Sequence, residues 1–157
     1  MKVTLLLVGK TVNNYLKDGI KIYEKRIKHY IPFSIKSVPG FKNVKKHSAE
    51  LHKVKEGRQI LNNINQGDEV FLLDEKGFEY TSLEFSNFIE KKIISGIKNL
   101  IFVIGGAYGF SNEVYKRANG QLTLPKMTFS HQLVRLIFLE QIYRAMTILK
   151  GEPYHHS

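Results

Sequence analysis

Two hydrophobic rhythms alternate along the chain. Residues 3–8 form a nearly unbroken apolar run closed by Gly9, the pattern of a strand covered on both faces. Over 13–29 the apolar positions switch to helical spacing. Leu16, Ile20, Tyr23, Ile27 and then Tyr30 share one face, and Pro32 stops the helix. Phe33, Ile35 and Val38 mark a second strand bounded by Pro39-Gly40, while Leu51, Val54, Leu61 and Ile64 draw a second helical stripe over 48–65. A third strand over 69–73 is expected to end in a turn at 74–77. Thr81-Ser82-Leu83-Glu84 has the form of a capping box, opening a helix with Phe85, Phe88, Ile89 and Ile93 on one side and Gly96 at its end. Beyond it the spacing predicts a short helix over 112–118, a short strand over 121–124, a loop over 125–129 and a last helix over 131–149. This alternation predicts an α/β fold, a mostly parallel sheet flanked by helices. With 157 residues and no Pro/Gly/Ser-rich linker, residues 1–157 are expected to form a single domain.

One stretch organises the rest. Leu100, Ile101, Phe102, Val103 and Ile104 are five apolar residues in a row, β-branched at three, and they run into Gly105, Gly106, Ala107, Tyr108 and Gly109. The run suits a central parallel strand, and the glycines free the backbone for positive φ or for close approach at its carboxyl end, where open α/β sheets bind ligands. The spacing matches neither the Gly-x-Gly-x-x-Gly dinucleotide fingerprint nor a P-loop. A plain strand-to-helix turn, with Ser111 as N-cap of the next helix, also accounts for it.

The last helix is apolar on more faces than one contact requires. Val134, Phe138, Leu139, Ile142, Ala145, Met146 and Leu149 make one sector, and Leu133, Leu136, Ile137, Tyr143 and Ile148 extend it. Such a helix needs two burying surfaces, which predicts packing on its own sheet and on a second subunit; a fully covered central helix is the alternative. Arg135 falls inside the apolar sector and must find an anion or acceptors, either a carboxylate such as Glu140 or a phosphate or base.

Charge and chemistry narrow the picture further. The net charge of +10 suits a polyanionic partner, and Lys36, Lys42, Lys45, Lys46, Lys53, Lys55 and Arg58 form the densest positive region, either a phosphate-tracking surface or a solvated helix face. Gly57 within that helix implies a close contact or a kink. The absence of Cys excludes disulfides and a thiolate nucleophile, and no Ser lies in Gly-x-Ser-x-Gly. Among the six His no ligand spacing suggests a metal, so none is expected. The first apolar run is too short for a signal peptide, which makes the cytoplasm the expected location, with no membrane partner. His131 is either a hydrogen-bonding residue at a helix start or an acid/base group. Tyr154-His155-His156 suits stacking on a splayed RNA base, unless it is a flexible tail.

Taken together, Phe102-Val103-Ile104-Gly105-Gly106-x-x-Gly109, Lys126-Met127-Thr128-Phe129-x-His131-x-x-x-Arg135 and the terminal Tyr154-His155 resemble the ribosomal RNA large subunit methyltransferase H family of the SPOUT superfamily. The likeness runs end to end through Val8-Gly9-Lys10, Tyr23-Glu24-Lys25-Arg26, Lys55-Glu56-Gly57 and Glu140-Gln141-x-Tyr143-Arg144-Ala145. It implies S-adenosylmethionine-dependent methylation of N3 of a pseudouridine in 23S rRNA of the assembled ribosome, by a homodimer whose C-terminal half is a trefoil knot. By the same similarity Leu73, Gly105 and the segment Leu124, Pro125, Lys126, Met127, Thr128 and Phe129 hold the cofactor, with Gly106 and Gly109 leaving it room. His131, or Tyr154 and His155 arriving across the dimer interface, are candidate proton acceptors or positioners; Arg135 is a candidate for holding a phosphate or favouring the anionic base. Two positions depart from the family pattern: Ser130 stands where Pro is common, and His156-Ser157 follow the terminal Tyr-His where a basic residue is common. A non-enzymatic RNA-binding scaffold, or an enzyme with another adenine cofactor or RNA target, are the rival readings.

Overall fold

The computed structural model of the chain describes residues 1–41, 48–125 and 127–156. Five strands, β1 (Lys2–Val8), β2 (Phe33–Val38), β3 (Glu69–Glu79), β4 (Asn99–Ile104) and β5 (Gly120–Thr123), form one sheet in the order β2-β1-β4-β3-β5, with every pairing parallel. Between them run α1 (Asn14–Lys28), α2 (Ala49–Asn62), α3 (Ser82–Ile94) and α4 (Asn112–Arg117), and α5 (His131–Leu149) ends the series. The expected mostly parallel sheet flanked by helices is therefore what forms.

Side-chain alternation explains why Leu5–Val8 of β1 and Leu100–Ile104 of β4 are unbroken apolar runs. Val3, Leu5 and Leu7 with Leu100, Phe102 and Ile104 point to the face covered by α1, α3 and α5. Leu6 and Val8 with Ile101 and Val103 meet Ile60 of α2 and Val114 of α4 on the other. A strand buried on both faces keeps no polar side, the condition of a central parallel strand. The capping box forms as expected: Thr81 Oγ1 accepts from the Glu84 amide and Glu84 Oε2 accepts from the Thr81 amide, at 3.2 and 2.7 Å.

Two expectations are corrected. Residues 74–77 do not end β3. The strand resumes, with Leu73 and Phe78 both opposite Leu122, so the intervening residues form a bulge. Gly77 permits this, since a Cβ there would lie 2.5 Å from the Leu122 backbone. The buried face of α2 is also only in part the expected stripe: Leu61 and Ile64 pack against the core, but Val54 is exposed, and His52, Glu56, Gly57 and Ile60 are the buried residues. Polar residues at helical spacing occupy that face, which an apolar count alone passes over.

Helix α5 finds most of its cover within its own chain. Leu136 reaches within 3.0 Å of where a Cβ on Gly19 of α1 would stand, and Tyr143 packs against Tyr23 and Tyr30. Ile137 instead faces a groove with Tyr80, Phe85 and Gln141. Of the basic residues 36–58, Lys42, Lys45 and Lys46 lie outside the described residues, as do Lys126, His47 and Ser157. Among the described residues no helix is long and apolar enough to cross a membrane.

Candidate functional site

The carboxyl ends of β3, β4 and β5 open onto one cavity of about 500 Å³, a volume typical of small-molecule sites. Three stretches wall it: Leu73 with the β3 bulge, the glycine loop after β4, and the segment after β5; His131 and Val134 of α5 close it. Leu73, Gly105, Gly106, Gly109, Leu124, Pro125, Met127, Thr128, Phe129 and His131, far apart in sequence, are brought together here.

The glycines are required for different reasons. Gly109 sits at φ +83° and donates its N–H to the Gly106 carbonyl at 3.3 Å, closing a tight turn. Gly105 and Gly106 lack positive φ; they allow close approach instead. A Cβ at 105 would meet the Phe110 ring at 2.9 Å, and one at 106 would meet the Glu56 carboxylate at 2.4 Å. Ser111 caps α4 by accepting from the Val114 amide, so the strand-to-helix turn is present, and a cavity lies beside it. Ser130, in the position where Pro is common, accepts from the Leu133 amide at 3.1 Å and fixes the first turn of α5, placing His131 on the cavity wall.

Several lining residues escaped sequence reasoning. Asp74 follows Leu73 into the bulge and accepts a hydrogen bond from the Tyr115 hydroxyl. Burial and that carboxylate push the Tyr115 pKa up to about 12. Asp74 was legible in principle as a carboxylate at the carboxyl end of a strand; Tyr115 carries no local signal, because the folding of α4 onto the sheet brings it to the rim, and Lys53, expected only as part of a basic surface or solvated face, reaches the rim with α2.

Arg135 is buried but does not line the cavity. Its guanidinium donates to the Val8 carbonyl at 2.8 Å and to Thr11 Oγ1 at 3.1 Å, tying the end of β1 to α5. Glu140, one carboxylate that sequence reasoning offered it, pairs with Arg144 at 2.6 Å instead. Burial lowers the Arg135 pKa from its usual value.

Tyr154 and His155 stand apart from the cavity of their own protomer. The Tyr154 hydroxyl donates to Glu140 Oε1 at 3.0 Å, and His155 Nδ1 lies 3.3 Å from Arg144, near the far end of a helix roughly 28 Å long. Burial and the hydrogen bonds with Tyr23 and Glu140 raise the Tyr154 pKa. Within one protomer, of the four expected catalytic residues only His131 lines the cavity.

Residues 1–155 match the family described as "Predicted SPOUT methyltransferase". The chain belongs to the SPOUT methyltransferases. Among its relatives, the ribosomal RNA large subunit methyltransferase H of Parabacteroides distasonis is 54% identical over 157 residues, covering 100% of both chains. The protein of the same name from Cytophaga hutchinsonii is 54% identical over 156 residues, covering 99% of this chain and 100% of its own. This SPOUT methyltransferase is therefore a member of the ribosomal RNA large subunit methyltransferase H family, and its chemistry requires a methyl donor. A probable methyltransferase from Bordetella pertussis Tohama I shares the SPOUT chain's fold, with TM-score 0.56 over 92% of this chain and 94% of its own, at 9% identity.

Proposed function

We propose that this chain transfers a methyl group from S-adenosylmethionine to N3 of a pseudouridine in 23S rRNA of the assembled ribosome. It does so in the cytoplasm as a homodimer of single-domain protomers, each with a trefoil-knotted C-terminal half. The observation that carries the reading is the meeting of the glycine loop with Leu124, Pro125 and residues 127–129 around one cavity. The names of the 54% identical relatives support the rRNA substrate.

The residues present fit the donor. Main chain at Leu73, Gly105, Leu124, Pro125 and residues 127–129 offers amides and carbonyls to a purine edge, Gly106 and Gly109 leave room, and Leu124, Met127 and Phe129 supply apolar walls. S-adenosylmethionine, when bound, supplies a methyl group activated by its sulfonium. The chain's own work is alignment and proton handling. His131 on the cavity wall accepts or positions the N3 proton, and Tyr154 and His155 serve the cavity of the other protomer. Arg135 acts from behind by fixing residues 8–11 against α5, so the base meets a rigid frame.

Calorimetry with S-adenosylmethionine tests the cofactor: micromolar binding is expected, and no binding would leave a basic RNA-binding scaffold. Mass mapping of 23S rRNA from a strain lacking the protein tests the target. Loss of one methyl from a pseudouridine is the expected result, and an unchanged map would overturn the assignment.

A further inference from the structure

Two ionisable residues back the glycine loop without lining the cavity. His52 and Glu56, one turn apart on α2, are only 1% and 8% exposed. Glu56 Oε1 lies 3.9 Å from His52 Nδ1, while Glu56 Oε2 and His52 Nε2 have no hydrogen-bond partner among the described residues. The orphaned Oε2 is aimed at the loop, since a Cβ on Gly106 would stand 2.4 Å from it. His52 in turn lies between the rings of Phe41 and Tyr108, with centroids 4.8 and 5.1 Å away, and Tyr108 is on the cavity wall.

This arrangement costs stability, because a buried carboxyl with an unpaired oxygen gives up hydration for nothing in return. Burial accordingly pushes the Glu56 pKa up, and His52 offsets only part of the rise. Nor can α2 back away to relieve it. Gly57 places the helix so close to α4 that a Cβ would meet Ser111 Oγ at 2.5 Å, which fixes the backbone presenting Glu56. Unfavourable burial held by a rigid scaffold beside a ligand cavity is the pattern of a residue kept for function.

We propose that Glu56, steadied by His52, is a positioning residue for the methyl donor: its unpartnered oxygen takes a hydrogen bond from the main chain of the glycine loop when the donor is bound, fixing the loop's shape. This role presupposes that the cavity beside the loop holds the donor, as proposed above.

Calorimetric titration of S-adenosylmethionine into the wild-type chain, Glu56→Met and Glu56→Gln, with a thermal melt of each unliganded protein, tests it. Glu56→Met removes the orphaned oxygen while keeping the length of the side chain. It should melt no lower than wild type and bind the donor roughly tenfold more weakly, the change carried by one charge-assisted hydrogen bond. Glu56→Gln, which keeps an acceptor oxygen, should recover most of the affinity. Wild-type affinity in Glu56→Met, or affinity lost in both variants only in step with a lowered melting temperature, would overturn the positioning role. Failure of the wild-type chain itself to bind the donor would overturn the cofactor assignment, and this role with it.

Discussion

Arg135 carries its charge into the interior with a carbonyl and a hydroxyl as partners. Replacing it with Met keeps apolar bulk but leaves the Val8 carbonyl and Thr11 without their donor. The expected loss is about 1–3 kcal/mol, seen as a lower urea midpoint at unchanged slope. Because Arg135 does not line the cavity, donor affinity measured by calorimetry should stay close to wild type while methylation falls sharply. Donor binding lost along with methylation would mean that the side chain does more than hold the frame. Glu56 gives a pH signature at the same scale. Its native pKa is raised, so its contribution to stability is full below the ordinary value of 4.5 and is lost as pH climbs through the native value. Thermal melts of wild type and Glu56→Gln should therefore diverge as pH rises from about 4.5 toward neutrality, with the variant the more stable. A constant gap across that range would show that ionisation of Glu56 does not weigh on the native state.

At the scale of elements, Gly57 sets two preferences of α2 against each other. Ala there gains about 1 kcal/mol in helix propensity, yet its Cβ would fall 2.5 Å from Ser111 Oγ and 3.2 Å from Val114 Cγ2. Ser111 is held as the cap of α4, so the clash cannot relax cheaply, and overpacking should win by about 1–3 kcal/mol. Urea denaturation of Gly57→Ala decides the sign, and a gain in stability would show that the two helices part freely. The sequence flagged Gly57 because glycine in a helix is locally anomalous. Buried strands, the Thr81 capping box and the bounds of α5 were legible for the same reason, since each is written in residues that are neighbours or share a short period. What was misread depends on distant partners. The continuation of β3 past 74–77 rests on Gly77 fitting against Leu122, and the inward turn of His52 and Glu56 rests on Gly106 and Tyr108. The lining of the candidate site divides likewise: glycines and a His at a helix start stand out in the chain, whereas the pairing of Tyr115 with Asp74 exists only after α4 has folded onto the sheet.

For the whole molecule the question is what covers the groove between the end of β5, α3 and α5. It holds about 550 Å³ and is lined by Tyr80, Phe85, Leu124, Pro125, Phe129 and Ile137 among others. Leu124, Pro125 and Phe129 also wall the candidate donor cavity, so the same segment has one side in each. A second protomer seated on the groove would press that segment into place, and by linkage any donor that orders it would tighten the dimer by the same factor. Ile137, half-buried on the α5 wall of the groove, is the residue to change. An Arg at this position puts an unpaired charge into an apolar contact, which should shift sedimentation from dimer to monomer and weaken donor binding together, while the unliganded protomer keeps its far-ultraviolet dichroism. Adding saturating donor to the wild-type chain should in turn lower its dimer dissociation constant. A wild-type chain that sediments as a monomer at micromolar concentration with donor present would overturn the dimer. A monomeric Ile137→Arg that binds donor as tightly as the dimer would instead uncouple the two surfaces, leaving Leu124, Pro125 and Phe129 positioned by their own chain alone.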